Sequence, residues 1–168
     1  MRDELHDTAH AGRMDSVLRE KSKEKFEVPK GFIFNWLPTR GFSVMKADVE
    51  GKILMIFSTC GDGKFWRDVG EMLALNNGFR CLMTICIRKI EPYIRFWGWK
   101  IVKAQEVNGQ KRYFCVDDIG RNVLITHRGL NIETGLPSYA VTQYLIHGEG
   151  PVFSEDEDKP KERGDMNV

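Results

Sequence analysis

Two runs constrain this chain most. "KILMIFST" (52–59) and "RCLMTICI" (80–87) are apolar at nearly every position and rich in β-formers. Such runs are expected of central strands buried on both faces. Between them lies "CGDGKFWRDVGEMLALNNGF", two glycines followed by an amphipathic stretch. Phe65, Val69, Met72 and Leu73 fall at helical spacing, with Trp66 and Leu75 beside them, and Asn76-Asn77-Gly78 supplies a stop. Strand, helix of about three turns, strand is the order of a right-handed crossover, which makes the two strands parallel.

The surrounding sequence adds antiparallel pairs. "GFIFNWL" (31–37) ends at Pro38, "GFSVMKADV" (41–49) alternates, and Glu50-Gly51 turns into the first buried run. After the second run, "RKIEPYIRFWGWKIV" predicts a short helix with Pro92 in its first turn and Gly98 at its end. "WKIVKAQEVNGQKRYFCVDD" is a hairpin pattern, with Asn108-Gly109 as its turn. "RNVLITH" (121–127) extends the sheet. From Arg128 to Pro151 the periodicity weakens, and "SYAVTQYLI" (138–146) suits a strand or a short helix. The fold class is α/β of the α+β kind. It has a mixed, mostly antiparallel sheet, a central strand–helix–strand crossover and flanking helices.

At 168 residues, the chain suits one domain. Residues 1–27 form a charged N-terminal segment, helical from about Asp15. Residues 28–153 form the domain, and 154–168 a disordered acidic tail. Net charge is +1. The first segment holds six basic against seven acidic residues and the tail three against six, which leaves the domain with sixteen against eleven. That gives no global case for nucleic-acid binding. Cys60, Cys81, Cys86 and Cys115 form no CxxC pair and read as buried free thiols of a reducing compartment. The polar start and the absence of a roughly 20-residue apolar run place the protein in the cytoplasm, with no membrane segment.

The order of elements resembles the GNAT superfamily of acyl-CoA-dependent N-acetyltransferases over roughly residues 31–118. The carriers are "KILMIFSTCGDGKFWRDVGEMLALNNGF", "RCLMTICI" and "PYIRFWGWKIVKA". The closest flavour is the divergent GNAT-like proteins of bacteriophages. The resemblance implies acetyl-CoA as co-substrate, bound by the loop after the central strand at Phe57, Ser58, Gly61, Asp62, Gly63, Lys64 and Phe65. It implies a primary amine as acceptor, attacked directly, and a catalytic tyrosine near the Gly-aromatic element, Tyr93; Glu91 is a candidate base from its own chemistry. The family loop opens on Gln or Arg, where this chain has Ser58. Asp62 puts a carboxylate where pyrophosphate would come. The family tyrosine position matches Ile94, and Tyr93 is one residue away.

Other chemistry remains in view. Glu71 and Asp62 are alternative bases, Cys86 is a thiol late in a channel strand, and His127 ends a strand. His6 and His10 are four apart without a third ligand, and no metal site is expected. Two other function classes fit. One is a non-catalytic GNAT-like virion or accessory protein, docking through 128–153, in the host cytoplasm or the virion. The other is a nucleic-acid or host-factor binder using Arg88, Lys89, Arg95 and Lys100 interleaved with Tyr93, Phe96, Trp97 and Trp99.

Overall fold

A computed structural model describes residues 28–151. The N-terminal segment with His6 and His10, and the acidic tail, lie outside the described residues.

The strands are β1 (Ile33–Leu37), β2 (Gly41–Asp48), β3 (Ile53–Gly61), β4 (Cys81–Ile87), β5 (Lys100–Val107), β6 (Gln110–Val116), β7 (Asn122–Leu130) and β8 (Pro137–Tyr144). The helices are α1 (Gly63–Asn76), between β3 and β4, and α2 (Ile90–Trp97), between β4 and β5. One eight-stranded sheet runs β1-β2-β3-β4-β8-β7-β6-β5. Only β3 and β4 pair in parallel; every other neighbour is antiparallel. The expected mixed sheet with its central crossover is therefore present.

Both helices cover the same face. Leu54, Ile56 and Leu82 pack with α1, while Cys86 packs with Ile90 and Ile94 of α2. Leu82 and Cys86 are four apart on β4, hence on one side of the sheet. A third apolar cluster, of Trp36, Phe42 and Val44, sits at the β1–β2 edge.

The buried stripe of α1 differs from the expected one. It consists of Trp66, Gly70 and Ala74, whereas Met72 and Leu73 are exposed. Small residues let the helix settle close to the sheet. A Cβ at Gly70 would meet Ile56 Cδ1 at 3.2 Å. Hydrophobic spacing overlooks such a face because glycine and alanine carry little of the apolar signal. At the far end, Gly78 is left-handed (φ 73°), Phe79 N–H donates to Ala74 O at 2.8 Å, and Gly78 N–H donates to Leu75 O. That double closure is a Schellman stop. Gly98 ends α2 in the same way, with Trp99 N–H on Ile94 O.

The 128–151 region, where periodicity weakens, contains regular structure at 128–130 and 137–144. It finishes β7 and supplies β8, which lies beside the central β4 in an unbroken seven-residue register from Cys81↔Tyr144 to Ile87↔Ser138.

Candidate active site: a fork in the sheet

The parallel β3–β4 ladder is short. It runs from Ile53↔Cys81 to Ile56↔Thr84 and stops, although both strands continue. Beyond that point β3 stays with β2, up to Gly61↔Gly41, and β4 stays with β8, up to Ile87↔Ser138. The sheet therefore forks. Thr84 Oγ1 donates to Ile56 O at 2.8 Å and ties the fork at its apex. Beside the apex, Val44 faces Ser58 and Met45 faces Ile56, leaving Phe57 without a counterpart on β2. This is a β-bulge, which bends its strand and takes one residue out of the ladder.

Two cavities of about 370 Å³ each open at the fork, one toward the helices and one toward the opposite face. They share Ile56, Phe57, Ser58, Thr84, Ile85 and Ile87. The two cavities thus meet along the gap between the strands, one on each face of the sheet. The helix-side groove is completed by Gly61, Gly63, Cys86, Arg88 and the α2 residues Pro92, Tyr93, Phe96 and Trp97.

Tyr93 is the candidate acid that the structure brings into the groove. Ile90 and Ile94, four apart, form the buried stripe of α2. With Ile94 in the core, the adjacent Tyr93 turns to the groove wall, where it meets Trp97 and Trp99 edge-on at 6.0 and 5.8 Å. Burial raises its pKa above the usual tyrosine value, with Cys86 adding to the effect. Its hydroxyl is therefore protonated throughout the neutral range.

The expected loop residues divide. Phe57, Ser58, Gly61 and Gly63 line the groove. The two glycines do different jobs. Gly61 is left-handed (φ 95°) and packs backbone to backbone, since a Cβ there would lie 2.6 Å from Arg40 O. Gly63 faces open space, with nothing within 4 Å of where its Cβ would be. The fold thus explains Gly61 but makes no steric demand at Gly63.

Asp62, Lys64 and Phe65 lie outside the groove lining. Asp62 caps α1: its Oδ1 accepts from Phe65 N–H at 3.0 Å, and its Oδ2 accepts from Arg40 Nη1 at 2.5 Å. The Phe65 amide and then Arg40 hold its carboxyl below the usual aspartate value. Asp62 therefore sits on the helix N-terminus as a resident anion. Phe65 meets Trp66 edge-on and lies under the Arg40 guanidinium. Lys64 Nζ stands 5.1 Å from the Phe96 ring centroid, and Arg67 lies over Trp97 at 5.2 Å, so cations of α1 rest on aromatics of α2.

The other candidates are placed elsewhere. Glu91 meets the Tyr113 hydroxyl at 3.4 Å and lines neither cavity. Glu71 holds Arg121 in a bidentate pair. His127 packs on the Tyr139 ring at 5.1 Å. Cys86 is buried in the α2 cluster and lines the groove. Of the aromatics in the basic-aromatic helix, Tyr93, Trp97 and Trp99 pack on one another and Phe96 stays exposed. Among the described residues, no group of three or more His, Cys, Asp or Glu could hold a metal, and no helix is long and apolar enough to cross a membrane.

The sequence matches no protein-family model and no curated protein. Among solved structures, Ard1 from Thermoplasma volcanium superposes with a TM-score of 0.47 at 11% identity, over 83% of this chain and 93% of that one. The ribosomal-protein-S18-alanine N-acetyltransferase from Escherichia coli superposes with 0.45 at 8% identity, over 88% and 94%. Superpositions this loose leave fold and site to rest on the residues of this chain.

Proposed function

We propose that the protein is an N-acetyltransferase that moves an acetyl group from acetyl-CoA to a primary amine by direct attack. The observation that carries this reading is the fork: a gap open on both faces of the sheet, with a protonated tyrosine on one wall. Such a gap lets a thioester and an amine meet from opposite sides without a covalent enzyme intermediate. The amine nitrogen bonds to the acyl carbon as the carbon–sulfur bond breaks. An amine that arrives as ammonium first loses one proton to groove water, the neutral nitrogen loses a second to water on bonding, and the departing sulfur takes one.

The residues of the chain divide this work. Gly63, open toward the groove, leaves room for the phosphate-bearing part beside the first turn of α1. The bulged Phe57 backbone stands outside the β2 ladder, available to the thioester carbonyl. Tyr93 supplies the proton to sulfur.

The test is thermal. Acetyl-CoA at about 100 times its dissociation constant should stabilise the fold by about 2.7 kcal/mol. No shift in midpoint at millimolar acetyl-CoA would remove the enzyme reading. It would leave the non-catalytic scaffold, a reading favoured by Asp62 standing on the anion-binding end of α1.

Asp62 gives a sharper check. Asp62→Asn removes the resident charge, keeps the cap and releases Arg40. Acetyl-CoA should then bind about two- to fivefold more tightly, the usual worth of one charge at a helix terminus. Calorimetric titration of both proteins measures it. Weaker binding by the variant would mean that the Arg40–Asp62 pair builds the site instead of obstructing it.

A further inference from the structure

We propose that the helix-free side of the fork selects the acceptor, and that Glu133 makes it select a primary amine carried on an apolar body. This deepens, and rests on, the acetyl-transfer reading above.

Alternation along β4 sends Met83, Ile85 and Ile87 away from the helices, and with Met55 and Phe57 they give this cavity apolar walls. Its remaining polar groups are mostly spent. The Thr84 hydroxyl is committed to Ile56 O. Asn131 Oδ1 accepts from Glu133 N–H, Thr134 N–H and the Thr134 hydroxyl at 3.1, 3.0 and 3.2 Å. The Thr134 hydroxyl in turn accepts from Leu136 N–H. Backbone bonds from Gly135 N–H to Asn131 O and from Asn131 N–H to Leu136 O, both 2.8 Å, close the same loop.

The loop after β7 is therefore held in one shape by its own bonds, and it presents one anion, Glu133, at the cavity wall. Among the described residues no salt bridge engages that carboxylate. Leu130 and Ile132, on either side of Asn131, are both strongly exposed, so apolar surface continues past the loop.

A single carboxylate over apolar walls draws in a monocation with a greasy remainder. A second cation, as in a polyamine, would enter without a partner, at the cost of desolvating it. An acidic acceptor would meet Glu133 as a like charge. Because the cavity shares its lining with the helix-side groove, an amine drawn in past Glu133 arrives at the gap where the thioester is met.

The test uses the full chain with acetyl-CoA and four acceptors: phenethylamine, a leucine-headed peptide amide, spermidine and a glutamate-headed peptide amide. Thiol release is the readout. Phenethylamine and the leucine-headed peptide should exceed the other two in kcat/KM by about tenfold or more, and the better of them shows whether the apolar body is a small molecule or a chain end. Glu133→Gln should raise KM for the preferred amine about tenfold, leave kcat within about twofold, and abolish the rise of KM with salt. Preference for spermidine or the acidic peptide, or an unchanged KM in the variant, overturns the proposal. So does equal, unsaturable use of all four amines. These failures leave the acetyl-CoA midpoint shift intact; the absence of that shift in the unaltered protein would sink the reading beneath it.

Discussion

Arg121→Met is expected to lower stability by about 3–5 kcal/mol, the usual result of removing one partner from a buried ion network. Arg121 is almost fully buried. Its Nε donates to Asp117 Oδ2 at 2.7 Å, and its Nη1 and Nη2 donate to Glu71 Oε1 and Oε2 at 2.6 and 3.1 Å. Its own amide also donates to Asp117 Oδ1 at 2.8 Å. One guanidinium thus pins the middle of α1 to the turn between β6 and β7. Methionine would fill the space and leave the Asp117 carboxylate, 2% exposed, without its cation. The bond to Glu71, then that to Asp117, raises the Arg121 pKa against the opposing effect of burial. A base with a raised pKa stabilises fully below its ordinary value, which for arginine lies far above neutrality, so the loss should be the same from pH 6 to 9. Urea unfolding measures it as a lower midpoint at unchanged slope. Arg121→Lys should fall in between, because an ammonium keeps the charge but loses the planar fork. A loss below about 1 kcal/mol for the methionine variant would put this pairing in the range of surface ion pairs.

That clamp joins residues 50 apart, and nothing local in the sequence announces it. Local patterns reach other parts of the fold much better. The two apolar runs, the Gly-rich joint and the Asn-Gly turn each declare an element through their own residues, and β3, β4, α1 and the β5–β6 hairpin follow within a residue or two. β8 is harder. Its inward positions are Tyr139, Val141 and Gln143, and the buried Gln143 interrupts the apolar alternation that marks a strand. Its place between β4 and β7 is a long-range pairing that composition does not encode. The buried face of α1 is obscured for a different reason: Gly70 and Ala74 pack by being small.

The site was legible to the same extent. Asp62 as a helix cap follows from an aspartate three residues before Phe65 at the head of an amphipathic run. The orientation of Tyr93 follows from Ile90 and Ile94, whose four-residue spacing fixes which side of α2 is buried. The splitting of β3 from β4 is not local. It depends on β2 and β8 each holding one strand after the shared ladder ends. Glu133 carries no local signal, because "NIETG" reads only as a turn until β8 brings that turn to the fork.

Tyr93→Phe should reduce kcat by about 10²–10³, within the usual worth of a positioned general acid. The variant isolates the hydroxyl. Phenylalanine keeps the ring against Trp97 and Trp99, so the groove wall and the fold should be preserved. The acetyl-CoA midpoint shift should match that of the unaltered protein, because the hydroxyl acts on sulfur as it departs and contributes little before then. A fall in kcat with constant KM for acetyl-CoA would mark an interaction made only in the transition state. Tyr93 is protonated at neutral pH and so holds a proton for the thiolate, while the raised pKa makes it a weaker donor than an ordinary tyrosine. Activity within twofold of the unaltered protein would assign Tyr93 to packing alone and leave protonation of the sulfur to water in the open fork.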